Sequence, residues 1–242
     1  MRLDDFAALT FDCYGTLIDW ESGILAAARP WIAARRPGLS DDALLEAFGR
    51  VEHAVEAAHP TMRYSQLLAE VHQSLARELG ITPDAAEAAR FAASIRDWPP
   101  FPDSVEALRY LKRHYKLVIL SNVDRASFAA SNEKLGVVFD AVVTAEDVGS
   151  YKPDRRNFEA LLATMAKLGV PKEKILHTAQ SLYHDHVPAK AIGLTSAWID
   201  RRRGKAGGGA TPAAAPVAPD FVFAGMAEFV AAHRALAAAA PP

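Results

Sequence analysis

The sequence predicts an α/β fold: a doubly wound, mostly parallel sheet with a block of helices inserted after the first strand. Two observations carry this. Short apolar runs bounded by polar or turn residues alternate with longer amphipathic ones, and strands separated by helices pair in parallel and are covered on both faces. The alternation then stops between about Glu21 and about Trp98, where only helical spacing is found. The chain has 242 residues, half of them hydrophobic and 23% charged, which suits one large globular domain or a core with a smaller insertion.

In chain order, strands are expected at 7–11, 117–120, 141–143, 175–178, 196–199 and 221–223, most of them rich in β-branched or aromatic types. Ser40 is placed to cap a helix over 41–58, Pro60 interrupts it, and a second helix runs over about 63–79 to Gly80. Pro83 starts another, and Trp98-Pro99-Pro100-Phe101-Pro102 reads as a rigid return linker. The expected division is therefore a core of 1–19 and 99–242 with a helical domain of 20–98 inserted. Asp103, with Glu106 three positions on, looks like a helix cap. Asp154 opens a helix through Phe158, Leu161, Leu162 and Met165 that Gly169 ends. The run Arg201-Arg202-Arg203 reads as a solvated loop, and the Gly-, Ala- and Pro-rich stretch 204–219 as a flexible surface loop.

The formal net charge of −2 gives no global basic excess for nucleic acid or an anionic membrane. No apolar stretch approaches the roughly 20 residues that span a bilayer. The N-terminal stretch lacks the pattern of a secretory signal, and the single cysteine, Cys13, forms no internal disulfide. A cytoplasmic enzyme acting on a small molecule is the expectation.

The chemistry concentrates at strand ends. Asp12 closes the first strand and is followed by Cys13-Tyr14-Gly15-Thr16. Ligands of open α/β sheets bind beyond the carboxyl ends of strands. Gly15 permits a tight turn, and Thr16 can hydrogen-bond a carboxylate or ligand. Ser121-Asn122 end the second core strand with neutral donors. Lys152 follows the third strand, and Gln180-Ser181-Leu182-Tyr183-His184-Asp185 follow the fourth. Each has a plainer alternative as a turn, a solvated lysine or a helix cap. Four in this order are hard to explain as coincidence.

That order resembles the four signature motifs of the haloacid dehalogenase superfamily over nearly the whole chain, including a helical cap after the first motif. The resemblance implies a Rossmann-like core, Asp12 as nucleophile, Ser121 as the second-motif hydroxyl, Lys152 as the third-motif lysine and Asp185 as the fourth-motif acid. The superfamily's phosphatases carry a second Asp two residues after the nucleophile and Gly-Asp opening the fourth motif; here those positions hold Tyr14 and Ala179-Gln180. A phosphate ester wants a proton donor and a divalent cation, whereas halide leaves as an anion without a proton. The Asp-x-Tyr-Gly-Thr form and the Ser-Asn pair resemble the L-2-haloacid dehalogenase branch.

The resemblance then implies attack of Asp12 on the α-carbon of a small 2-haloalkanoate, followed by hydrolysis of the aspartyl ester to a 2-hydroxy acid. Lys152 would keep Asp12 ionised, Asp185 would orient or deprotonate water, and His184 is the second candidate for that role. Thr16, Ser121 and Asn122 would position nucleophile and substrate carboxylate; Tyr14 and Ser181 join the substrate-binding set. Alignment with the family cap points to Arg50 over the site, with Arg35 and Arg36 as fallbacks. No metal or cofactor is expected. The resemblance extends to a homodimer, for which the cap offers surface.

Two departures bear on the lining: Phe158 stands where the family often has Tyr, and Gln180-Ser181-Leu182 where it often has Ser-Ser-Asn. Trp20, Trp31 and Trp98 are expected to pack cap and linker, and Cys13 to be a small buried residue. His177, His184 and His186 lack a recognised metal spacing. The rivals are a magnesium-dependent phosphatase of the same fold and a catalytically silent binding protein.

Overall fold

The computed structural model describes residues 1–205 and 207–239. Its strands are β1 (Ala8–Phe11), β2 (Lys116–Ser121), β3 (Ala141–Thr144), β4 (Ile175–Ala179), β5 (Thr195–Ile199) and β6 (Phe221–Phe223). They form one sheet, in the order β3-β2-β1-β4-β5-β6, with every neighbouring pair parallel. β1 and β4 are buried along their whole length, as apolar strands covered on both faces must be. Phe11 lies level with Ile119 on one side and Thr178 on the other. Chain direction across the sheet reverses its order between β1 and β4, and the crevice beyond their carboxyl ends is the natural ligand site of such a fold.

Between β1 and β2 come α1 (Trp20–Ile32), α2 (Asp41–Ala58), α3 (Tyr64–Glu78) and α4 (Ala85–Ala93). The Ser40 hydroxyl accepts from Ala43 N to start α2, and Asp84 accepts from Glu87 N to start α4. Where the chain leaves and re-enters the core, its two passes are tied together. Asp19 N donates to Pro99 O, Phe101 N donates to Leu17 O, and Trp98 lies so close to Gly23 that any side chain there would collide with its ring. Apolar packing runs without a break from the sheet into these helices.

After β2 follow α6 (Arg125–Leu135) ahead of β3, then α7 (Ala145–Val148) and α8 (Arg155–Lys167) ahead of β4. The helix preceding β2 is α5 (Ser104–Leu111), and α9 (Val187–Ala191) and α10 (Met226–Ala239) complete the layers. Among the described residues no helix is long and apolar enough to cross a membrane.

Three expectations are corrected in part. Asp103 stands at the N-cap of α5, but its side chain makes no capping bond; the carboxylate is held by Arg201 Nη1 at 2.9 Å and by Ala227 N. In the run 201–203 only Arg203 is solvent-exposed. Arg201 lies over the Phe101 ring and donates twice to Thr16 O, and Arg202 pairs with Glu21 at 2.6 Å. The stretch 204–219, of which residue 206 lies outside the described residues, runs mostly along the surface as expected, but it docks at 209–212. Ala210 is 1% exposed, its N–H donates to Glu21 Oε1, and its carbonyl meets α2 where Gly49 has no side chain. Low complexity here marks close backbone approach, for which glycine and alanine leave room.

Candidate active site

The floor of the crevice is built at the switch point. Asp12 follows β1, Lys152 precedes α8, and Asp185 lies in a π-helical turn, Leu182–His186, after β4. Lys152 Nζ donates to Asp12 Oδ1 at 2.9 Å, to Asp185 Oδ1 at 2.7 Å and to Leu120 O at 3.1 Å. Its three donors are thus all used, as a buried ammonium requires. The other oxygen of Asp12, Oδ2, accepts from Thr16 Oγ1 at 2.7 Å, and Thr16 Oγ1 itself accepts from Gln180 N. Both carboxylate oxygens are fixed, so the plane of Asp12 is set by the fold.

Asp185 Oδ1 also meets His177 Nε2 at 3.0 Å, while Oδ2 is buried without a partner. Burial pushes the Asp12 carboxyl above its ordinary value, opposed by Lys152 and reinforced by the like charge of Asp185. Burial acts the same way on Asp185, but Lys152 and His177 outweigh it and hold that group well below the carboxylate range. Burial would neutralise Lys152; its two carboxylates outweigh that and keep it an ammonium. One ammonium between two acids therefore splits them.

The remaining expected residues fall around this floor. Asn122 clamps the lysine's own backbone, donating to Lys152 O and accepting from Lys152 N. Ser121 Oγ is buried without a partner at the crevice. Ser181 Oγ accepts from His184 N and lies 3.1 Å from His184 Nδ1. His184 lines the crevice, and burial lowers its pKa to about 4. The Tyr14 ring lines it too, but its hydroxyl is turned away to Ser131 Oγ and Ser127 O. Cys13 is buried, and Trp31 and Trp98 pack as expected. Trp20 is buried and also lines the crevice. His177 and His186 are buried hydrogen-bonding residues.

Arg50 is not over the site. It is exposed and pairs with Glu78, while Arg35 pairs with Glu87 and Arg36 donates to Leu79 O. The reason is helical phase. Glu52 stands two residues beyond Arg50 on α2, about 200° around the axis, so Glu52 and Glu56 face the crevice and Arg50 faces away. Tyr64 at the start of α3 donates to Glu52 Oε1 at 2.5 Å. Burial raises Glu52 to about 7 and raises Glu56 well above its ordinary value, Glu52 adding to the latter. Glu52, Glu56, Tyr64 and Thr211 are lining residues to which the motifs do not point, and Gln180 enters the motifs only as a departure from the family pattern. The legible signal was two acids four apart within the apolar stripe of Phe48, Val51 and Val55.

A hard cation of the magnesium type does not fit the floor. Lys152 Nζ bridges Asp12 and Asp185 and uses one oxygen of each, and Gln180 supplies no further carboxylate, so the floor lacks the several oxygen ligands such an ion takes.

The fold and floor define a doubly wound α/β protein with an acid–ammonium–acid triad at its switch point. Residues 6–178 match the family model of haloacid dehalogenase-like hydrolases, and the chain belongs to that family. It is 30% identical over 210 residues to an (S)-2-haloacid dehalogenase of Pseudomonas sp. (strain YL), covering 82% of this chain and 84% of that one. It is 26% identical to an (S)-2-haloacid dehalogenase of Pseudomonas putida over 84% of this chain and 88% of that one. A crystal structure of an L-2-haloacid dehalogenase, PA0810, superposes with a TM-score of 0.72 at 26% identity, covering 96% and 99% of the two chains.

Proposed function

We propose that the protein hydrolyses the carbon–halogen bond of a small 2-haloalkanoic acid through an ester on Asp12. The single observation that carries this reading is the Asp12 carboxylate held by Lys152 on one oxygen and Thr16 on the other, with Tyr14 rather than an acid two residues on. Such a group is an oriented nucleophile, and the position two residues on carries no acid to protonate an alkoxide leaving group. The named relatives act on (S)-2-haloacids, and the crevice, of about 40 Å³, holds only a few waters' worth of space, which suits a two- or three-carbon acid.

In the first step an Asp12 oxygen forms a bond to the substrate α-carbon as the carbon–halogen pair leaves with the halide. Water then adds to the Asp12 carboxyl carbon. The 2-hydroxy acid departs, one proton is released, and the carboxylate is regenerated. Asp185 Oδ2 accepts from that water, while Lys152 opposes the charge that builds on the Asp12 oxygen. Residues 20–98 act as a cap domain that closes the crevice over a core of 1–19 and 99–242.

Halide release from haloacetates and 2-chloropropionate is measured with and without chelator, beside p-nitrophenyl phosphate hydrolysis with magnesium. Turnover in ¹⁸O water labels the Asp12-containing peptide. Asp12→Asn loses halide release in either arm; release that persists in this variant, or magnesium-dependent phosphate hydrolysis in its place, overturns the reading.

A further inference from the structure

The crevice presents an electrostatic deficit. Its lining carries four carboxyl groups, Asp12, Asp185, Glu52 and Glu56, and among the described lining residues Lys152 is the one cation, already shared by the first two. Lys152 is already shared by Asp12 and Asp185, so the floor offers an anionic substrate no surplus cation. The roof holds a donor set that answers this. One ligand atom from each of His53, Glu56 and His184 lies within 4.8 Å of the other two.

We infer that His53, Glu56 and His184 form a binding site for a divalent transition-metal ion of the zinc type, bridging the inserted helices and the sheet's crevice. Two imidazoles and a carboxylate are a recurrent zinc set that leaves a coordination position open. His184 Nε2 is fully buried without any hydrogen-bond partner, and an orphaned buried nitrogen is costly unless something binds it. Its other nitrogen, Nδ1, lies 3.1 Å from Ser181 Oγ. A proton on Nδ1 donated to that oxygen leaves the Nε2 lone pair pointing into the cluster, the arrangement by which a metal-bound imidazole is usually held.

The Tyr183 ring packs edge-on against both imidazoles, at 5.4 Å from His53 and 4.9 Å from His184. Metal–nitrogen bonds of about 2 Å place two ligand atoms of a tetrahedral ion about 3.3 Å apart, so the cluster must draw in by roughly 1.5 Å at its widest. His53, the most accessible of the three, can swing to do so. The ion has a way in. An open cavity of about 440 Å³ touches His53, and Thr211 lines both that cavity and the crevice.

Bound there, the ion is held by the Glu56 carboxyl group and offers its open position to the substrate carboxylate. This last consequence rests on the haloacid reading; the site itself does not. The test uses the full chain stripped with chelator and titrated with Co²⁺ without substrate. The expected result is one equivalent bound with visible d–d absorption, displaced by Zn²⁺. His53→Ala and His184→Ala each weaken binding at least about tenfold, while His59→Ala, an exposed cap histidine, does not. Asp12→Asn, which loses halide release, still binds one equivalent, so a failed haloacid reading and a failed metal site are told apart. Near-ultraviolet circular dichroism checks each fold; if His184→Ala does not fold, His53→Ala decides. No saturable binding, or equal binding in His53→Ala, overturns the site. If binding holds but KM for haloacid in wild type is the same with and without Zn²⁺, the role in substrate binding is wrong.

Discussion

The floor and the roof of the crevice are built on different terms. On the floor every donor of Lys152 has an acceptor and both oxygens of Asp12 are held; the groups come from strand ends and a short turn fixed by the sheet. On the roof, Glu52 and Glu56 are buried on α2 with raised pKa values, and His184 Nε2 below them has no partner. The floor's acids have an ammonium between them, whereas the acids of the roof have no cation of their own among the described lining residues. A site can thus be rigid around one carboxylate and loosely partnered on the side that faces it.

The largest effect that would break this contrast is at the floor's centre. Lys152→Met leaves two buried carboxylates facing each other without their ammonium, a loss of about 3–5 kcal/mol when one partner of a buried pair is removed. Urea denaturation measures it, and a change under about 1 kcal/mol would mean the triad is not the electrostatic keystone. Gly49→Ala tests the roof's outer support. The new methyl collides with Ala210 O, so loop 207–213 must lift from α2. A stability loss of roughly 1–3 kcal/mol is expected, with faster proteolysis at that loop.

The pH profile sharpens the comparison further. In the proposed mechanism Asp12 attacks only when ionised, and burial raises its pKa above the ordinary 3.8. The kcat/KM for haloacid therefore falls with acid through a midpoint above that value. Lys152, held above its ordinary 10.5, gives no alkaline loss up to about pH 10. An acid midpoint at or below the ordinary value would show that Lys152 dominates Asp12 after all. The smallest effect is Arg50→Ala. Its pair with Glu78 is exposed and worth under about 1 kcal/mol, and kcat/KM stays within about twofold. A large loss would put Arg50 back over the site.

The alternation of apolar runs set the sheet and the placing of its strands, and the four motifs at strand ends named Asp12, Lys152, Asp185 and Thr16. These are legible because a strand's period and a turn's chemistry are local, and because the parallel order brings all carboxyl ends to one edge. Which face of α2 meets the crevice was decided only by tertiary packing. A shift of two residues on a helix reverses its direction, so alignment to Arg50 and geometry at Glu52 point opposite ways. Likewise 201–203 and 204–219 carry no periodicity to read. Their roles, Arg201 on Thr16 O and Ala210 against Gly49, exist only once residues about 160 to 190 positions apart in the chain are brought together, and contacts at that separation leave no local pattern in the sequence.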